Sequence, residues 1–452
     1  MTYYKKYDSY KNSSGFVEDI PSDWSIIDIK YLLSNKKYSI KSGPFGSQLK
    51  NDDMIMGDFK VYNQRNVLDN DFFIGNYYIE NDKFEELKAF KVEYGDILIT
   101  TRGTIGKAAI VPKEFQDGVL HPCLIKINLN EKFILNDYIE KIFNYTDIIF
   151  NQVNKLSNST TIDVIYTETL KNIRIPIPSL EEQKKIVGFI NKKLLEINSI
   201  IEEKEKLIEL LKEKRKAIIT EAITKGINKN VEMKYSGVEW IGNIPESFNK
   251  SKLKYLTNQI IDGTHNTPNY LDEGVPFLRV TDITSSQNNE IDLESVKFIS
   301  YEEHKELIKR CKPEKGDLLV SKNGTIGIPR VVDWDYEFSI FVSLCLLKLK
   351  KDKIIPEYLS YFFNSDLVDT QIAYGGKKST IVNLHLDKMR EFIIFIPNIE
   401  EQIKIVNYLD EKVNNFDDLI SQCKDECIIL KEYKKSLITE AVTGKIDVRN
   451  KV

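Results

Sequence analysis

Apolar residues recur at alternating spacings of three and four along residues 187–218, and the same pattern returns along 406–437. The first seam, Val187, Ile190, Leu194, Ile197, Ile201, Lys204, Ile208, Leu211, Arg215 and Ile218, is apolar at eight of ten positions. The second, Val406, Leu409, Val413, Phe416, Ile420, Cys423, Cys427, Leu430, Lys434 and Leu437, is apolar at nine of ten. Spacing of this kind over several heptads predicts a coiled coil, and two stretches of equal length in one chain predict that they pair with each other. Both carry a start signal. Ser179 and Asn398 are N-cap residues, Glu182 and Glu401 follow three positions on as a capping box requires, and Pro178 and Pro397 end the preceding strands. Helices of about 45 residues rising roughly 1.5 Å per residue make a rod of about 65–70 Å, long enough to hold two globular parts apart.

Outside these stretches the period changes. Residues 91–112 and 313–332 alternate short apolar runs with glycine turns, and 173–177 and 392–396 add a closing apolar run to each part. The run 338–347, FSIFVSLCLL, is far short of the roughly 20 residues a bilayer needs and reads as a buried strand. The fold class expected is α/β, with mixed α+β globular domains and two long paired helices.

The chain is also internally duplicated. GDILITTRGTIG at 95–106 returns as GDLLVSKNGTIG at 316–327, an offset of 221. PSLEEQ at 178–183 returns as PNIEEQ at 397–402, and ITEAIT at 219–224 returns as ITEAVT at 438–443, both at an offset of 219. Ile20-Pro21 with Lys30-Tyr31-Leu32 matches Ile244-Pro245 with Lys254-Tyr255-Leu256. The division expected is a first domain at 1–178, a first helix at 179–226, a Gly- and Asn-rich linker at 227–250, a second domain at 251–397 and a second helix at 398–446.

Composition narrows the function. With 42% hydrophobic and 29% charged residues the chain reads as soluble and globular, and its first residues lack an apolar export segment, which makes the cytoplasm the default. Five cysteines without paired spacing predict neither disulfides nor a zinc site. The formal charge is −4. Residues 1–178 hold 22 Lys+Arg against 24 Asp+Glu and residues 251–397 hold 19 against 21, so each domain nets −2. Neither is a basic module, and DNA binding would need a local patch or a partner that supplies most phosphate contacts.

Catalytic signatures are missing. No phosphate-cradling Gly-x-x-x-x-Gly-Lys-Ser/Thr loop occurs, and no Pro-Pro or Pro-Asp dipeptide opens an adenine-methyltransferase or common nuclease motif. His121, His265, His304 and His385 share no metal-ligand spacing and read as surface or loop residues. Cys423 and Cys427 lie one turn apart, but on the helical seam, where packing explains them.

The blocks GPFGSQLK at 43–50, VYNQRNV at 61–67, TTRGTIG at 100–106 and IPIPSLEEQKKIV at 175–187 are followed by DGTHNTP at 262–268, FLRVTDI at 277–283, SKNGTIG at 321–327 and IPNIEEQIKIV at 396–406. Their order resembles the specificity subunits of type I restriction-modification systems over nearly the whole chain. The resemblance implies two target-recognition domains, each reading half of a bipartite double-stranded DNA site, and an antiparallel helix pair between them. It also implies partners: two methyltransferase subunits bringing S-adenosylmethionine, and restriction subunits bringing ATP-driven, Mg-dependent cleavage, with no cofactor or metal held by this chain. Base readers are expected among polar loop residues able to make paired hydrogen bonds. In the first domain these are Ser47, Gln48, Lys50, Gln64, Arg65, Asn66, Arg102, Thr104 and Thr161. In the second they are Thr264, His265, Asn266, Arg279, Thr281, Lys322, Asn323, Thr325, Lys377, Lys378, Ser379 and Thr380. A coiled-coil scaffold presenting two protein-binding domains accounts for the repeat and the rod equally well.

Overall fold

The computed structural model describes residues 4–13, 19–156, 164–284, 291–374 and 384–451. They separate into two units, Met1–Glu203 with Glu426–Val452, and Lys204–Asp425. Each long helix is thus divided between the units instead of forming a domain of its own.

The first unit is built on a four-stranded antiparallel sheet in the order Ile40–Ser42, Leu124–Ile127, Ile97–Thr100, Ala108–Ile110. Ile97–Thr100 and Leu124–Ile127 are buried at every residue, because both faces of the sheet are covered, and so they read as unbroken apolar runs. Phe59–Tyr62 forms a smaller sheet with Tyr78–Ile79 and, in parallel, with Gly118–Leu120. The second unit repeats this topology: Thr257–Asp262, Leu344–Leu349, Leu318–Ser321 and Pro329–Val331 form the main sheet, and Val275–Leu278 pairs with Lys297–Ile299 and, in parallel, with Ser339–Ile340. The run 338–347 is therefore two strands, Ser339–Ile340 and Leu344–Leu349, in different sheets. The turn between them becomes part of the site described below.

The helices span Leu180–Lys225 and Ile399–Val442. Ser179 Oγ accepts from the Glu182 amide at 3.3 Å and Asn398 Oδ1 from the Glu401 amide at 2.9 Å, so the expected caps are present. The two glutamate side chains have partners of their own: Glu182 accepts from Tyr7 Oη at 2.7 Å, and Glu401 from Ser247 Oγ at 3.4 Å. The glutamine of each repeated Glu-Glu-Gln has the larger structural role. Gln183 is fully buried, accepts from the Leu135 amide at 2.9 Å and donates to the carbonyls of Phe133 and Pro178, both at 3.0 Å. Gln402 binds Ile355, Lys353 and Pro397 in the same way, at 3.1, 2.8 and 3.0 Å.

Every residue of both seams is buried or half-buried. Within the second unit, Ile208 packs with Ile420 and Cys423, and Arg215 Nε meets Asp417 Oδ1 at 2.9 Å. Beyond these, Ile219, Ala222 and Ile223 enter a core with Ile405, Val406 and Leu409. Partner numbers fall as the first helix advances, so the pair is antiparallel. Within the first unit, Ile186, Phe189 and Ile190 share a core with Leu437, Ile438 and Ala441. Cys423 and Cys427 are buried free thiols on the seam.

The repeated ITEAIT and ITEAVT motifs dock a helix end onto each domain. Tyr138 Oη donates to the carbonyls of Pro176 at 3.1 Å and Val442 at 2.9 Å, and Tyr358 Oη donates to those of Phe395 at 2.7 Å and Ile223 at 3.1 Å. The stretch expected as a linker carries a hairpin, Met233–Tyr235 with Asn243–Pro245, the counterpart of Tyr10–Lys11 with Ile20–Pro21. In the first unit the chain's two ends meet, with the Asp447 amide donating to the Lys5 carbonyl at 2.7 Å. His304, expected at the surface, lies buried on the helix Tyr301–Ile308, its Nδ1 2.9 Å from Ser339 Oγ.

Candidate nucleic-acid interface

Strand register fixes where the polar loops emerge. Ser42 sits opposite Ile125, Thr100 opposite Leu124, and Tyr62 beside Leu120, so the loops after Ser42, Tyr62 and Thr100 leave the same edge as the turn at 121–123. In the second unit Asp262 opposes Cys345, Ser321 opposes Leu344 and Leu278 lies beside Ile340, which brings out the corresponding loops around 341–343.

Backbone bonds tie each set into a hub. Gly43 N donates to Leu124 O at 2.8 Å, His121 N to Tyr62 O at 2.8 Å, Thr101 N to Cys123 O at 3.0 Å and Ile165 N to Thr101 O at 3.0 Å. The second unit repeats all four: Gly263 to Leu344 at 3.3 Å, Phe341 to Leu278 at 3.0 Å, Lys322 to Ser343 at 2.8 Å and Leu384 to Lys322 at 2.9 Å. The approach is close enough to require glycine. A β-carbon on Gly43 would lie 2.2 Å from the His121 carbonyl oxygen, and one on Gly263 would lie 2.0 Å from that of Ile340.

The candidate readers divide by environment. Ser47, Gln48, Lys50, Arg65, Arg102 and Thr104 are exposed in the first unit, as are His265, Asn266, Thr281 and Thr325 in the second. Gln64, Arg65 and Asn66, expected on a loop, open the short helix Gln64–Leu68; Gln64 is half-buried, with its Nε2 3.5 Å from where a β-carbon on Gly103 would stand, so this helix start and the loop at 102 are neighbours. Gln48 Oε1 braces its own loop by accepting from Phe45 N at 3.0 Å. Thr264 Oγ1 accepts from Asn266 N at 3.2 Å, fixing the turn that presents His265. Thr161, Lys377, Lys378, Ser379 and Thr380 lie outside the described residues.

Others are held within the protein. Asn66 is buried, accepting from Asn63 N at 2.9 Å and donating to Asp71 O at 3.0 Å and Ile74 O at 2.9 Å. Asp282 takes its place in the second unit and grips Arg279, whose Nε and Nη2 lie 3.1 and 2.8 Å from its carboxylate. Arg65 Nε pairs with Asp69 at 3.2 Å, an exposed contact of about 0.3–0.5 kcal/mol. Lys322 is buried, with Nζ 2.7 Å from Asp262 Oδ2. Asp262 also receives Arg310 Nη2 at 2.7 Å and stands 3.4 Å from His265 Nε2. Burial pushes the Asp262 carboxyl up, but its bonds to Lys322 and Arg310 outweigh burial and hold it below the ordinary carboxylate value.

Two features escape the expected set. Phe45 is 80% exposed on a loop whose neighbours Pro44 and Leu49 are buried, so an apolar ring is held out at the same edge as Arg102. Its only sequence signal is an aromatic residue inside a glycine turn. Beside Gln64, Cys123 Sγ lies 2.9 Å from His121 Nδ1; burial pushes the thiol up and the imidazole down, so both stay neutral near pH 7. Among the described residues no three or more His, Cys, Asp or Glu side chains are placed to hold a metal ion, and no helix is long and apolar enough to cross a membrane.

Residues 21–210 and 245–427 match the family model described as the type I restriction modification DNA specificity domain. The chain belongs to this family. A putative type I restriction enzyme MjaX specificity subunit from Methanocaldococcus jannaschii is 26% identical over 99% of both chains. The EcoBI specificity subunit of Escherichia coli is 24% identical over 72% of this chain and 70% of its own. Among solved structures, a chain from a study of complex assembly and conformational transition in the type I R-M system aligns with TM-score 0.66 at 17% identity, over 94% of this chain and 99% of that one. The HsdS subunit of Thermoanaerobacter tengcongensis aligns with TM-score 0.52 at 15% identity, over 94% and 98%. The duplicated domain, the paired helices and the two family matches make this chain a type I specificity subunit with two DNA-recognition domains.

Proposed function

We propose that each unit turns its loop hub to one half of a bipartite DNA site, with an unread spacer set by the helix pair. The observation that carries this reading is the repetition of all four hub bonds in both units while the side chains they present differ. Exposed polar side chains on a braced loop suit base recognition, and Phe45 offers an apolar face to a base step.

Two methyltransferase subunits dock on the long helices. Leu195, Ile200, Ile428 and Ile429 are exposed on the helix segments of the first unit, and Leu207, Leu210, Ile403 and Leu419 on those of the second, apolar positions that docked subunits would cover. These partners bring S-adenosylmethionine and most phosphate contacts, which the near-neutral domains lack. Restriction subunits bring ATP and Mg, and the complex works in the cytoplasm. The chain itself is non-catalytic. Purified alone it will bind DNA weakly and turn nothing over; with its methyltransferase partner it will direct adenine methylation to one split sequence, read by sequencing modified bases. Turnover by the isolated chain contradicts this.

Spacer length has its own test. Four residues inserted just before the docked segment 219–224 advance a helix by about 6 Å and turn it by about 400°, a net twist near 40°. One DNA base pair turns by about 35° at roughly 10–10.5 per turn. The spacer should lengthen by about one base pair, because a rotational error turns the readers away from the groove. An unchanged spacer at full methylation would show that this helix is not the ruler.

A further inference from the structure

We infer that residues 102 and 323, related by the duplication, are the paired base-reading positions of the two units, Arg102 taking a guanine in one half-site and Asn323 an adenine in the other. This rests on the two-domain reading above and adds which residue sets which base.

The loops that carry these residues are built alike. Thr100 Oγ1 donates to Thr104 O at 2.5 Å and accepts from Lys107 N at 2.9 Å. Ser321 Oγ donates to Thr325 O at 2.6 Å and accepts from Ile328 N at 2.8 Å. Gly103 and Gly324 turn the chain at φ of 64° and 68°, a left-handed geometry that glycine adopts without strain. From there Gly-Thr-Ile-Gly is identical in both loops. Between scaffold strand and scaffold turn, only two positions in each loop are left to vary: Thr101-Arg102 and Lys322-Asn323.

The first of each pair is committed inward. Thr101 is buried, its Oγ1 donating to Cys123 O at 2.8 Å, and Lys322 is buried on Asp262. The second is left uncommitted in both loops. Arg102 is exposed and has no ion pair or hydrogen bond among the described residues, unlike Arg65 and Arg279, which their own acidic neighbours hold. Asn323 is half-buried, and its Oδ1 is buried with no hydrogen-bond partner among the described residues, an acceptor that must turn outward to meet a base. A constant frame that presents a different uncommitted side chain in each copy is the arrangement expected of a specificity position. The chemistry assigns the bases. A guanidinium fork matches guanine O6 and N7, and a carboxamide matches the N6 donor and N7 acceptor of adenine.

The test uses the chain assembled with its methyltransferase subunits, with methylation rates measured on duplexes that each differ from the wild-type site at one base pair. Arg102→Asn should replace a guanine preference by an adenine preference at one position of one half-site, shifting relative rates roughly 5- to 150-fold, while the other half-site is read as before. Asn323→Arg should do the reverse in the other half. Neither residue is buried in a core, so both variants are expected to assemble, and Arg102→Lys should keep part of the guanine preference. Unchanged preferences, or a uniform slowing on every duplex as for a phosphate contact, would overturn the assignment while leaving the split site standing. A wild-type complex that methylates no split site would instead contradict the two-domain reading itself.

Discussion

Replacing Asp262 by alanine will destabilise the second unit by about 3–5 kcal/mol and abolish reading of one half-site, because it strands a buried ammonium. The side chains of Lys322 and Asp262 are only 6% and 8% exposed, and Asp262 is the one hydrogen-bond acceptor of Lys322 Nζ among the described residues. Arg310 loses a carboxylate too, although it keeps the carbonyls of Asp262 at 3.1 Å and Gly263 at 2.9 Å. Denaturant unfolding of the variant should show the loss. The combined replacement Asp262→Leu with Lys322→Met should recover most of it, since a buried pair exchanged for apolar residues is often neutral. A loss below about 1 kcal/mol for Asp262→Ala would mean that water reaches the ammonium, as at an exposed pair.

Acid should remove the same contribution. Asp262 is held below the ordinary carboxylate value, so its stabilisation is fully present above the unfolded value near about 3.9 and is lost as pH falls through the lower folded value. The stability gap between wild type and Asp262→Asn should therefore be constant at neutral pH and narrow below about pH 4.

The long helices were legible because coiled-coil spacing and caps are local signals: each seam residue marked from the 3–4 period is covered in the structure. Duplication was legible for the same reason, as a direct reading of repeated words. The hub was not, because each of its bonds joins loops far apart in sequence, such as Thr101 to Cys123 or Gly43 to Leu124. Nor could a residue's polarity decide which way it faces. Asn66, on the short helix Gln64–Leu68, and Lys322, in a loop, stand in polar stretches like those of their exposed neighbours, yet one is turned in by the carbonyls of Asp71 and Ile74, the other by a carboxylate 60 positions earlier. Gln183 and Gln402 were visible as a motif, but their role depends on the carbonyls of Phe133 and Lys353 about fifty residues before them.

The second large effect is a change of target. Exchanging residues 36–172 for the same region of another specificity subunit should rewrite one half of the recognised sequence and leave the other half intact. The graft points suit the exchange. Ser25–Asp28 and Arg174–Ile177 are paired strands, and the Ile29 amide donates to Ile173 O at 2.9 Å, so the ends of the exchanged piece emerge side by side from a frame that stays in place. The incoming piece must supply a tyrosine at the place of Tyr138 and backbone groups for Gln183, since these fasten the domain to its helix ends. The measurement is the pattern of methylated adenines in DNA from cells carrying the exchanged and the original chains with the same methyltransferase subunits. Two independent domains predict that the two patterns share one half-site and differ in the other; a pattern changed in both halves would contradict separate reading by the two units.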